Sequence, residues 1–123
     1  MIKIGENIFY TDNQSVTGSF HVIAVKVIRS LGLVPFYYMG AGLDVRGSSL
    51  EKEISQDFSK SRVIVIVLGK GEGWRSIQDV WAITELPSAV AAGKECLIYH
   101  TSEVSAVEIE SLKLPAKPTE VRD

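Results

Sequence analysis

The stretch RVIVIVLG, Arg62 to Gly69, constrains the fold more than any other part of the chain. Six consecutive aliphatic residues, Val63 to Leu68, end on a glycine. An alternating pattern would mark a strand with one wet face. An unbroken one predicts a strand covered on both faces, as in the centre of a parallel sheet. Three shorter apolar runs accompany it: NIFYT (Asn7 to Thr11), LVPFYYM (Leu33 to Met39) and ECLIYH (Glu95 to His100). Pro35 donates no ladder hydrogen bond, which predicts an edge position for its run or a place for the proline near the strand's start.

Helical patterns separate these runs. In TGSFHVIAVKVIRSLG, Phe20, Ala24, Val27, Ile28 and Leu31 recur at spacings of three and four and so share one predicted face, with Gly32 just past the helix end. SSLEKEISQDFSKS predicts a second helix, with Ser48 and Glu51 at capping-box spacing and Leu50, Ile54 and Phe58 on one stripe. After the loop GKGEGWRSIQD, a third helix is predicted with Thr84 as its N-cap, which puts Pro87 in the first turn, where its missing N–H costs nothing. Gly93 and Lys94 then read as a helix stop followed by a C-terminal cation. The order βαβαβαβ needs crossover connections, which are right-handed almost without exception, and yields a three-layer, doubly wound α/β sheet. Ligands bind such sheets at the carboxyl ends of the strands. Here those ends are Thr11 and Asp12, Met39 to Gly42, Gly69 to Gly73, and His100 to Ser102.

Bulk properties narrow the function classes. A chain of 123 residues, 46% hydrophobic and 23% charged, fits one globular domain. Fifteen acids against 13 bases argue against a nucleic-acid partner, which calls for a basic excess. The lone Cys96 excludes an internal disulfide, and with two histidines no zinc-ligand set can be assembled, so a reducing, cytoplasmic setting is expected and no metal. No run reaches the roughly 18 to 20 apolar residues of a membrane span, and MIKIGENIFY lacks a signal-peptide layout. Residues 1–112 read as the domain, and 113–123, KLPAKPTEVRD, as a flexible tail or linker.

Few groups offer chemistry. Glu85 opens the helix after the third strand, on the ligand side; a carboxylate there is either a simple partner of the helix dipole or a working group. Trp74 and Trp81 lie within a dozen residues upstream, and indoles offer a stacking surface for a flat ring, although Trp81 fits equally as core. In GAGLDVRG, Gly40 and Gly42 let the backbone approach a phosphate and Arg46 can pair with one, but P-loop spacing is missing there and in GKGEG. Asp12 and Asn13 either contact a ligand or form an Asx-turn. Cys96 sits in an apolar run as a buried thiol, and neither His21 nor His100 belongs to a triad motif.

Taken in order, IFYT, SLGLVPFYYM, GAGLDVRGSSLEKEISQDFSKSRVIVIVLG and DVWAITELPSAVAAGKECLIYH resemble the Toll/interleukin receptor (TIR) domains over residues 7 to about 100. The resemblance implies a flavodoxin-like parallel sheet of four to five strands, order 2-1-3-4-5. It also implies a nucleotide partner, self-association into a homo-oligomer, and a signalling or defence role. In the enzymes among TIR domains, a glutamate at the position of Glu85 cleaves or cyclises NAD⁺, which is then substrate and not cofactor. The loop Gly40 to Gly47 would line that pocket, with Trp74 or Trp81 stacked on a ring. Other TIR domains are non-enzymatic modules that act by self-association. Nucleoside 2-deoxyribosyltransferases are similar in architecture and use a glutamate in a comparable helix for N-glycosyl transfer.

Overall fold

The computed structural model describes residues 3–14 and 19–121, apart from the side chains of Ser19, Phe20, His21 and Ile23. In chain order the elements are β1 (Asn7–Asp12), α1 (Ser19–Ser30), β2 (Val34–Met39), α2 (Ser49–Lys60), β3 (Val63–Leu68), α3 (Trp81–Ala91), β4 (Glu95–His100), α4 (Ala106–Ser111) and β5 (Thr119–Glu120). All five strands are parallel, in the order β2-β1-β3-β4-β5. The chain is thus a flavodoxin-like α/β domain. The aliphatic run is its central strand, and the Pro35 strand lies at an edge, where a missing N–H is harmless.

One face of the sheet carries the core. Phe9, Ile64, Ile66, Leu68 and Ile98 pack against Ile54 and Phe58 of α2 and against Trp81, Leu86 and Ala89 of α3. Ile109 and Leu112 extend the same cluster through α4 and the residue that follows it. The predicted α2 stripe narrows to Ile54 and Phe58, because Leu50, in the first turn, is 43% exposed. On α1, Val25 is buried, whereas Val27 and Leu31 of the predicted face are more than half exposed. Phe20, on the same predicted face, has its side chain outside what is described. The chain from Lys113, expected as a tail or linker, returns to the sheet. Leu114 and Ala116 pack on the core, Thr119–Glu120 pair with β4, and the Val121 N–H donates to His100 C=O at 2.8 Å.

The start of α3 differs from expectation. The helix begins at Trp81, with Val80 as its N-cap, so Thr84 lies inside it and Pro87 is interior. A tertiary contact replaces the local cap: the Trp81 N–H donates to Ala41 C=O at 3.0 Å, and Gly42 bridges Val80. The Thr84 hydroxyl turns back onto Trp81 C=O at 2.7 Å. Pro87 is exposed and has no N–H to give to the Ile83 carbonyl four residues back. The helix stop holds: Gly93 takes φ 80°, the Lys94 N–H reaches Ala89 C=O, and the Lys94 ammonium donates to Ser59 and Ser61 carbonyls at the end of α2.

At the carboxyl ends of β1 and β3, where strand order reverses, Asn13 acts as a clamp. Its Nδ2 donates to Gly69 C=O at 2.8 Å and to Arg75 C=O at 2.7 Å, and its Oδ1 accepts from the Gly69 N–H at 2.7 Å. Asn13 is 1% exposed, so removing its amide strands backbone groups away from water. Asn13→Ala is expected to lower stability by about 2–4 kcal/mol, read from the urea midpoint. A change within experimental error would show that the clamp is dispensable.

Candidate functional site

Glu85 does not occupy the first turn of α3. With the helix starting at Trp81, it is the fifth helical residue, beyond the reach over which the helix dipole favours an acid. Its partner is instead Arg46, whose Nη2 donates to Glu85 Oε1 at 2.6 Å and also contacts the Thr84 hydroxyl. The guanidinium's other arm reaches Glu51 Oε2 at 3.2 Å, and its carbon lies 5.3 Å from the centre of the Trp81 ring. One cation on the loop after β2 therefore joins a carboxylate on α2, a carboxylate on α3 and an indole face.

Trp81 belongs mainly to the core. It is 3% exposed and meets the Phe58 ring edge to face at 5.5 Å. Its indole N–H emerges from that apolar setting and donates to Glu51 Oε2 at 2.8 Å. Glu51 completes half of the expected capping box. The Ser48 hydroxyl accepts from the Glu51 N–H, but the Glu51 carboxylate passes Ser48 and accepts from the Gly47 N–H at 2.9 Å. Gly47 takes φ 79°, a left-handed conformation suited to glycine, and this aims its N–H at the carboxylate.

These groups border a cleft of about 520 Å³ between α2 and α3, lined also by Phe58, Ser88 and Lys94. The volume falls within the range of small-molecule sites. Its upper end presents an anion–cation–anion series, Glu51–Arg46–Glu85, with side chains between about one fifth and two fifths exposed. A ligand entering there meets a carboxylate able to accept hydroxyl hydrogen bonds and a guanidinium able to take a phosphate.

The remaining sequence-derived candidates sit elsewhere. Asp12 is fully buried beneath the loop, accepting from Tyr10 Oη at 2.9 Å and from the N–H groups of Gln14 and Gly40. The Gln14 contact is the Asx-turn alternative. Burial, together with the Asp12 charge and hydrogen bond, pushes the Tyr10 phenol far above its ordinary value, so it stays a donor. Gly40, with φ 65°, turns the chain above Asp12. At Gly42 a Cβ would lie 2.8 Å from Arg75 Nη1 and 3.0 Å from Asp44 Oδ1, so a side chain there would have to displace the ion pair that these two groups form. Trp74 covers Gly69, where a Cβ would lie 2.8 Å from the indole, so it belongs to the Asn13 clamp and does not line the Glu85 cleft. The candidates thus divide into Glu85, Arg46 and Trp81 at the cleft, and Asp12, Gly40 and Trp74 at the reversal of strand order, with Gly42 on the loop between.

Glu51, the hub of the cleft, carried only a capping signal in the sequence, since its link to Trp81 crosses 30 residues. Cys96 is half-buried and its thiol pKa is raised by burial, in keeping with an unreactive thiol. Among the described residues, no group of three or more His, Cys, Asp or Glu side chains is placed to hold a metal, and no helix is long and apolar enough to cross a membrane. Comparison with protein-family models, curated proteins and solved structures finds no match for the chain.

The Gly47 N–H, the Trp81 indole N–H and Arg46 together hold the Glu51 carboxyl below its ordinary value of 4.5. A carboxylate lowered on folding stabilises the fold above its unfolded pKa, and that contribution is lost as pH falls through the lower folded value. Glu51→Gln is therefore expected to lower the urea midpoint at neutral pH. The gap to the native protein should close as pH drops below about 4.5. A gap equal at pH 7 and pH 3 would separate Glu51 from this linkage.

Proposed function

We propose that this is a TIR-like nucleotide-binding domain that cleaves the N-glycosidic bond of NAD⁺, with Glu85 as its catalytic residue. The carrying observation is the partnership of Glu85. It lies beyond the reach of the helix dipole, and a loop flanked by left-handed glycines brings an arginine to it at the head of a cleft.

The chemistry asks little of the site. As the bond between ribose C1′ and the nicotinamide nitrogen breaks, its electron pair leaves with neutral nicotinamide and the ribose acquires oxocarbenium character. A carboxylate beside that sugar stabilises the cation or accepts the ribose hydroxyls. Water then adds at C1′ and loses a proton to solvent, giving ADP-ribose. Arg46 is suited to the pyrophosphate, because a guanidinium exchanges a carboxylate for a phosphate with little change of geometry. Trp81 serves as the wall on which Arg46 rests and not as an open stacking platform, since its indole is buried.

A second reading has its own observation. Arg46, Glu51, Glu85 and the Trp81 N–H already satisfy one another, as they would in a rigid surface of a non-enzymatic, self-associating module.

The protein at high concentration, incubated with NAD⁺, is expected to release nicotinamide, and Glu85→Gln to slow release about 100-fold or more. Activity that survives the Gln substitution would remove Glu85 from the chemistry. Absence of turnover with concentration-dependent assembly through the Gly40–Gly47 loop would favour the module. Exchange of deoxyribose between an added nucleoside and a free base would instead identify N-glycosyl transfer.

A further inference from the structure

The two faces of the sheet are unequally covered. Residues of α2, α3 and α4 all join the core cluster on one face, whereas the described helix on the other face is α1. Parallel sheets normally have both faces covered. Here Val65, Leu97 and Tyr99, on the two inner strands β3 and β4, are only partly buried. With Val67, Val121 and the Ala24–Val27–Ile28 flank of α1, they form an almost wholly apolar groove of about 380 Å³.

Beside the groove stands a matching ridge. Val27, 51% exposed, forms one wall from α1, and Leu31, 63% exposed, continues the helix's apolar surface. Charge is matched as well. The α1 sequence SFHVIAVKVIRS has no acid; its second half carries Lys26, which is exposed, and Arg29, whose guanidinium lies 5.9 Å from the centre of the Tyr37 ring on β2. Glu95 is exposed and, by strand alternation, ends the row that Leu97 and Tyr99 begin on the groove floor.

A two-fold axis parallel to the strands exchanges left and right and keeps top and bottom. It places the α1 ridge of one copy over the groove of the other, twice. It also keeps the basic end of α1 at the level of Glu95, because α1 runs down the sheet toward the amino ends of the strands. An axis across the strands would set ridge against ridge. Three strands of six residues and one helix face present a footprint on the order of 500 Å² per copy, below the roughly 800 Å² of standard stable interfaces.

We infer that this face is the interface of a weak homodimer, in which α1 of each copy lies in the apolar groove over β3 and β4 of the other. The contact lies on the face of the sheet opposite the Glu85 cleft and does not depend on catalysis there.

Sedimentation velocity from about 1 to about 200 μM is expected to show a reversible monomer–dimer equilibrium in that range. Val27→Glu should weaken it at least tenfold. Because a charge on α1 can also disturb folding, a second test uses exposed charges only. Lys26→Glu or Glu95→Lys alone should weaken the dimer, and the two together should restore it. Monomer at every concentration would overturn the inference. So would association unchanged by Val27→Glu in a protein with native circular dichroism, or a monomer whose groove takes up an apolar dye.

Discussion

The hydrogen bond from the Trp81 indole to Glu51 is the point at which core and cleft become one structure. The indole is fixed by the core through Phe58, and its N–H needs a partner when buried. Glu51 supplies that partner and still has acceptor capacity for Gly47 and Arg46. The loop after β2 is thereby positioned by a side chain whose own position is set by apolar packing. Arg46 rests on the face of the same indole and from there reaches Glu85. Loosening the indole would therefore disturb Glu51 and Arg46 together, and through them the loop and the pairing of Glu85.

The Asn13 clamp does a comparable task at the other site. It ties β1 to the end of β3 and to the chain approaching α3, so the strand ends cannot separate without exposing paired backbone groups. The cleft and the strand-order reversal are joined through the loop bearing Gly40 and Gly42. There Ala41 C=O caps α3 and Asp44 holds Arg75. A ligand that moved Arg46 would therefore pull on a segment that also closes over Asp12.

Much of the fold was legible because it rests on local pattern. Six aliphatic residues ended by glycine located the central strand, Pro35 marked an edge, and Gly93 stopped α3. Thr84 misled because it has the chemistry of a cap, but Ala41 does the capping from 40 residues away, and no local rule detects that. The run from Lys113 has the prolines and charges of a tail, yet its few apolar side chains suffice to bring it back to β4. Within the site, residue type pointed to Glu85 and Arg46, and their contact across 39 residues depends on tertiary structure alone. Trp74 and Trp81 looked alike as a pair near one loop. Their separation into two sites follows from the turn that sends one over Gly69 and the other into α3.

The central strand also shows where pattern overreached. Val63 to Leu68 implied cover on both sides, and Val63 and Val67 are indeed buried, but Val65 between them is only partly so. A strand sequence records that its side chains favour burial, not which element buries them. On the core face the answer lies in α2, α3 and α4. On the other face α1 covers β1 closely, since Ile8 and Tyr10 are buried, and then runs out before β4. Leu97 and Tyr99 lie beyond that point, with the apolar character of an inner strand and the exposure of an outer one. A second copy bearing the same ridge and the same groove resolves this mismatch by symmetry: each α1 leaves uncovered the width of sheet that its counterpart is shaped to cover.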